Sequence, residues 1–234
     1  MRKLLYISLF FNLIFFGCIA YALVKIGSPR YLFYLVKYRG NGIVSLKKHK
    51  TSHLATLPKT QGKIVMLGNS LTAECEWAEL LDNQDIINRG IIGDGTDDIF
   101  NRLEDVIMMK PKKVFLLVGV NDLQFTPPQY IIENYEKIVS RLRLGTPETQ
   151  VYLEAILPIH NDLRRTGMKN EDIRTVNEGI KRIAEKEGLN YIDTHSPFTN
   201  KEGALKTELS LDGVHLNGEG YLIFKEILKK YVAH

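Results

Sequence analysis

Three observations in this 234-residue chain predict an α/β domain with a five-stranded parallel sheet, preceded by an N-terminal transmembrane helix. From about residue 62, short apolar runs alternate five times with stretches of helical periodicity, the pattern of a parallel sheet with helices on both faces. The strongest run, residues 113–118, is apolar after Lys113, as a parallel strand buried on both faces should be. Ahead of the domain, residues 4–24 carry no charge.

Those 21 residues are apolar apart from Ser8 and Asn12, and as a helix they would be about 31 Å long, one hydrocarbon core. Arg2 and Lys3 precede them, and Tyr21, Tyr31, Tyr34 and Tyr38 suit the headgroup level. Ala20-Tyr21-Ala22 offers a cleavage site, so secretion after removal of a signal peptide is the alternative to an uncleaved signal-anchor over residues 1–24. The stretch exceeds the usual apolar region of a signal peptide, which favours the anchor. Flanking charges nearly balance, and the signal-anchor character points to an extracytoplasmic domain. Residues 25–61 read as a basic juxtamembrane linker, either drawn to anionic headgroups at about 1 kcal/mol per charge or simply a solvated tether.

Within residues 62–234, the first strand covers 63–67 and ends at Gly68, with a helical stretch over 72–81. The second strand spans 85–88. Thr96 is a good N-cap for a helix carrying Ile99, Leu103, Val106 and Ile107 on one face. After the third strand, Pro127 or Pro128 opens a helix whose buried stripe is Ile131, Tyr135, Ile138 and Leu142. A fourth strand over 151–157 is stopped by Pro158. The next helix carries Ile173, Val176, Ile180 and Ile183, the fifth strand covers 189–193, and residues 217–232 close the domain. Such a length can bury one sizeable core.

The net charge of +4 conceals an asymmetry. Eleven of the 31 basic residues precede Glu74 and no acidic residue does, leaving twenty basic residues against all 27 acidic ones in the remainder. The domain is therefore acidic, which argues against a nucleic-acid partner. Cys18 and Cys75 make no disulfide framework, and Cys75 reads as a small buried thiol rather than a nucleophile.

Four segments carry candidate chemistry: Gly68-Asn69-Ser70-Leu71-Thr72, Asn88-Arg89-Gly90-Ile91-Ile92-Gly93-Asp94, Gly119-Val120-Asn121-Asp122 and Asp212-Gly213-Val214-His215. The first three follow apolar runs, and the fourth precedes the last helix. In an open α/β sheet such positions converge on one crevice at the carboxyl ends of the strands. Ser70 stands at the positive end of a helix, where its N–H suits a developing oxyanion, although a serine there can also be a plain N-cap. It is not in a G-x-S-x-G elbow, because Thr72 takes the second glycine position. Gly93 allows close approach of the main chain to a ligand, or merely a turn. The Asn121 amide can donate a hydrogen bond, or close a turn. Asp212 and His215, three apart, would be neighbours in a helical turn, the carboxylate fixing the imidazole tautomer. The other histidines lack such a partner, and no cluster has metal-ligand spacing, so neither a metal nor a cofactor is expected. His160 either lines the pocket or sits on a solvated loop.

These segments resemble the blocks of the SGNH hydrolases, the GDSL-type esterases and lipases, over essentially residues 62–234. Asn88 to Asp94 and Leu211 to Tyr221 are especially similar to that family's second and last blocks. The resemblance implies a flavodoxin-like three-layer α/β/α sandwich. It also implies Ser70 as nucleophile, His215 as general base and Asp212 orienting it, with the N–H groups of Ser70 and Gly93 and the amide of Asn121 as oxyanion hole. One position departs, Asn69 standing where the family usually has Asp. The expected reaction is hydrolysis of carboxylic esters, with short acyl groups favoured because no long apolar lid is apparent. Lysophospholipase or thioesterase activity on longer chains is the alternative. Two other classes compete, a nucleotide- or phosphate-binding domain, whose glycine fingerprints are missing, and a catalytically silent membrane-tethered module.

Overall fold

A computed structural model describes residues 6, 8, 10–17, 21, 41–163 and 166–233. The expected membrane helix falls largely outside these. Residues 10–17 are helical, with Phe10, Phe11, Phe15 and Phe16 exposed, and among the described residues no helix is long and apolar enough to cross a membrane. The chain divides into two compact units, Met1–Leu46 and Lys47–His234.

Part of the expected linker is not a tether. Residues Asn41–Thr56 form a helix, α1, with no acidic residue in its first turn. Its hold is tertiary: Leu54 is buried, lining a small cavity with Ile91, Arg102 and Val106, and just beyond the helix Lys59 pairs with Asp105 at 3.0 Å.

Five strands follow, β1 (Ile64–Gly68), β2 (Ile86–Gly90), β3 (Lys113–Leu117), β4 (Gln150–Glu154) and β5 (Asn190–Ile192). All pair in parallel in the order β2-β1-β3-β4-β5, and Gly68 is level with both Gly90 and Leu117. The carboxyl ends thus form one edge, with the reversal of winding falling between β1 and β3, where α/β sheets open a ligand crevice.

Alternation along the strands divides the interior into two cores. Val65, Leu67, Val114, Leu116, Val151 and Leu153 face the buried stripes of α6 (Pro128–Gly145) and α7 (Asn170–Glu187), together with α4 (Thr96–Asn101) and α5 (Leu103–Ile107). Ile64, Met66, Phe115, Leu117 and Tyr152 face Leu71 of α2 (Ser70–Ala73), Trp77 of α3 (Trp77–Leu80) and Phe224 and Leu228 of α8 (Gly218–Val232). This is the expected three-layer sandwich.

The differences from expectation have local causes. The helix over 72–81 is two short ones, because the Thr72 carbonyl that would continue it accepts instead from Trp77 Nε1 and Asn88 Nδ2, both at 2.8 Å. The helix after Gly95 breaks at Arg102, whose side chain is turned inward. Thr96 is its first helical residue and not its cap, since the Asp122 carboxylate takes both its N–H and its hydroxyl. Strand β4 stops at Glu154, short of Leu157: the Asn177 side chain bonds both the N–H and the carbonyl of Ile156, as a neighbouring strand would.

Candidate active site

Ser70 is the first residue of α2, directly after β1, and is almost fully buried. The cap is Asn69, whose side-chain oxygen accepts from the Leu71 N–H at 3.0 Å. An amide oxygen thus meets the need for an acceptor at this position, and Ser70 is free of capping duty. No protein group accepts from the Ser70 N–H among the described residues.

From the other end of the domain, His215 Nε2 lies 3.0 Å from Ser70 Oγ, and its Nδ1 lies 2.8 Å from Asp212 Oδ2. A carboxylate only accepts, so Nδ1 carries the proton and Nε2 is left to accept the serine hydroxyl. Partial burial of Asp212 would raise its pKa. The His215 N–H, the His215 ring and the Val214 N–H outweigh that and lower it to about 2, so the carboxylate is ionised throughout the neutral range.

The spacing of this pair works differently from expectation. Residues 211–215 are a bend and not a helical turn. Asp212 Oδ1 accepts from the N–H groups of Val214 and His215 at 3.0 and 2.8 Å, an Asx-turn that brings the ring back over its own carboxylate. Gly213 is required there. It has φ +81°, and a Cβ would sit 2.3 Å from the His160 carbonyl oxygen. His160 lies on a loop and is half-buried. Its N–H donates to Gly213 O at 2.8 Å, and its Nδ1 is buried without a partner among the described residues.

After β2, residues 91–94 form a turn closed by the Asp94 N–H on Ile91 O, with Gly93 at φ +83°. That φ at the third position is the signature of a type II turn. The Gly93 N–H, like that of Ser70, has no protein acceptor among the described residues. Asn121 follows β3 and donates one amide hydrogen to Asp94 O at 2.9 Å, leaving its second for a ligand.

Several residues that hold this loop were not singled out from sequence. Arg102 Nε meets Asp94 Oδ2 at 2.8 Å, while its Nη2 reaches the carbonyls of Arg89 and Gly68. Burial raises the Asp94 carboxyl and lowers the Arg102 guanidinium despite their pairing, so desolvation is the larger effect on both. Asp122, raised by burial, binds Thr96 and so joins the loop after β3 to the loop after β2. Glu154, buried at the end of β4, is pushed up to about 8 by desolvation and stays protonated at neutral pH. The buried Cys75 thiol is raised to about 12, by desolvation and then by Glu76, which leaves it inert. Among the described residues no group of His, Cys, Asp and Glu is placed to hold a metal.

A serine hydroxyl within hydrogen-bond reach of an imidazole that a carboxylate orients, on the loops at the carboxyl edge of a parallel sheet, is an arrangement suited to acyl transfer. Comparison with known proteins narrows the class. The chain belongs to the GDSL-like Lipase/Acylhydrolase family, whose pattern matches residues 66–223, and it is a carboxylic ester hydrolase. It is 29% identical over 166 residues to the human platelet-activating factor acetylhydrolase IB subunit alpha1, covering 68% of this chain and 70% of that protein. A structure from Streptococcus pneumonia described as a platelet activating factor superposes with a TM-score of 0.76 at 25% identity, covering 86% of this chain and 99% of that one. A GDSL-like lipase from Bacteroides thetaiotaomicron shares the fold, with a TM-score of 0.69 at 24% identity over 79% and 96% of the two chains.

Proposed function

We propose that the protein hydrolyses short-chain carboxylic esters, acetyl esters foremost, through an acyl-enzyme on Ser70. His215 Nε2 takes the hydroxyl proton as Ser70 Oγ bonds to the ester carbonyl carbon. The oxyanion is met by the N–H groups of Ser70 and Gly93 and by the Asn121 amide. Collapse breaks the bond to the alcohol, which leaves with the proton from His215. Water then repeats the sequence, releasing the acid and restoring Ser70. Asp212 holds the ring and stabilises the imidazolium. The observation that carries this reading is the unbroken chain of hydrogen bonds from Ser70 Oγ through His215 to Asp212, at 3.0 and 2.8 Å. The preference for acetyl esters draws support from the acetylhydrolase named above.

A second reading keeps the chemistry and lengthens the acyl chain. Ile92, Phe125, Leu163 and Leu211 are exposed on four of the loops at the carboxyl edge, which favours an amphiphilic ester such as a lysophospholipid or an acyl thioester. The charge-free residues 4–24 and the absence of acidic residues before Glu74 support tethering at a membrane surface, with the domain extracytoplasmic. Secretion after cleavage at Ala20-Tyr21-Ala22 is the alternative.

A panel of p-nitrophenyl esters from acetate to palmitate, with acetylated sugars, separates the two substrate readings. Labelling by a fluorophosphonate probe tests the chemistry: modification of Ser70, lost in His215→Ala, is the expected result. A chain that the probe does not modify at Ser70 overturns the acyl-enzyme reading.

A further inference from the structure

We infer that Lys47, which lies outside the segment matched by the family, is a positioning residue that holds Gly93 in the conformation that aims its N–H at the oxyanion. The inference rests on the catalytic reading above. Lys47 Nζ donates to Gly93 O at 3.2 Å, lies 3.7 Å from Asp94 Oδ1, and makes a short ion pair with Asp98. The same Asp98 carboxylate accepts from the Gly95 N–H at 2.9 Å, so one ammonium group ties together both sides of the turn. Its side chain is only 22% exposed.

The hold on Gly93 is specific. Arg102 and Asn121 both act on Asp94, and among the described residues Lys47 alone bonds the Gly93 carbonyl. A type II turn interconverts with type I by rotation of its central peptide, here that between Ile92 and Gly93, and glycine opposes this rotation little. Rotation would carry the Gly93 N–H away from the crevice. The Lys47 bond fixes the orientation of the next peptide, Gly93–Asp94, so the Gly93 N–H can turn only by a concerted change of ψ at Ile92 and φ at Gly93 and not by movement of the whole loop.

Lys47 is itself fixed from behind. Leu54, two helical turns further along α1 and on the same face, is buried, and Thr51 between them lines the cavity shared with Arg89 and Arg102. The oxyanion loop is therefore braced by a helix that precedes the matched domain.

The test uses the full chain with Lys47→Met, Lys47→Arg and, as a control on the same helix, Lys50→Met, whose parent side chain is exposed. With p-nitrophenyl acetate, Lys47→Met is expected to lower kcat by about 10-fold, less than the roughly 10²–10³ of deleting an oxyanion donor outright, with KM within about two-fold of the parent. Lys47→Arg should recover most of the rate, and Lys50→Met should match the parent. Amide hydrogen exchange should quicken over residues 91–96 in Lys47→Met and stay unchanged in β1 and β3. A Lys47→Met chain with parental kcat and parental exchange over 91–96 overturns the inference. So does a loss of kcat with exchange raised throughout the sheet, which marks a general loss of stability. If the parent itself cleaves no ester, the catalytic reading fails, and the exchange of residues 91–96 still decides whether Lys47 holds the turn.

Discussion

Two loops, one after β2 and the other carrying His215, are secured by opposite means. The oxyanion loop, residues 90–96, is held by charged groups brought from a distance: Arg102 on Asp94, Asp122 on Thr96 and Lys47 on Gly93. Asp94 and Arg102 are buried, and desolvation works against both. The histidine loop, residues 211–215, is held largely by its own aspartate and by a backbone contact with His160, and the side chains of Asp212 and His215 are 38% and 30% exposed. On the catalytic reading proposed above, the difference matches the task of each loop. Donors aimed at a developing charge must not reorganise during the reaction, whereas a base has to accept and return a proton beside water.

The largest effect is expected at Arg102. Its replacement in Arg102→Met leaves the Asp94 carboxylate buried without its closest partner, a change that typically costs about 3–5 kcal/mol. Urea denaturation is expected to show a loss of that size, with hydrolysis of p-nitrophenyl acetate falling as well. A loss below about 1 kcal/mol, the range of exposed ion pairs, would mean that the oxyanion loop is no more firmly anchored than the histidine loop.

Asn121→Ala is next in size. It removes one oxyanion donor and the brace on Asp94 O, and kcat should fall by about 10²–10³, equivalent to roughly 2.7–4 kcal/mol in the transition state. KM should change little, because the donor acts on charge present only in the transition state. A variant that hydrolyses p-nitrophenyl acetate as fast as the parent removes Asn121 from the oxyanion hole.

The two loops also differ in how far sequence reveals them. Asp212 and His215 stand three apart, and that proximity is enough to pair them even though an Asx-turn, not a helix, makes the contact. The strands are legible for a similar reason: burial on both faces leaves an apolar run that needs no knowledge of partners. Arg102 carries no such mark. An arginine in an amphipathic helix normally points to water, and what turns it inward is a carboxylate eight residues earlier and two carbonyls at the ends of β1 and β2. Lys47 was hidden by its neighbours, since a run of basic residues reads as a tether until a helix aims one of them at Gly93. The helix break after Ala73 depends on Trp77 and Asn88 taking one carbonyl, a competition invisible to periodicity.

The smallest expected effect is a difference in sign between the two loops in acid. Asp212 has a carboxyl lowered from 3.8 to about 2 in the folded chain, so the stability it contributes is complete above 3.8 and is lost as pH falls toward 2. Asp94 is shifted the other way by burial, so protonation as pH falls toward 3.8 relieves a cost instead of removing a gain. Acid should therefore loosen the histidine loop while sparing the oxyanion loop. In thermal unfolding between pH 5 and 2, the advantage of the parent over Asp212→Asn should shrink with falling pH. The advantage over Arg102→Met should shrink too, but from a higher pH, because burial already raises the Asp94 carboxyl and loss of Arg102 raises it further. Because Asp212 is more than a third exposed, solvent screens its contacts, and the change is expected to stay below about 1 kcal/mol. A gap between parent and Asp212→Asn that is constant from pH 5 to 2 would mean that the carboxylate is not what holds the histidine loop closed.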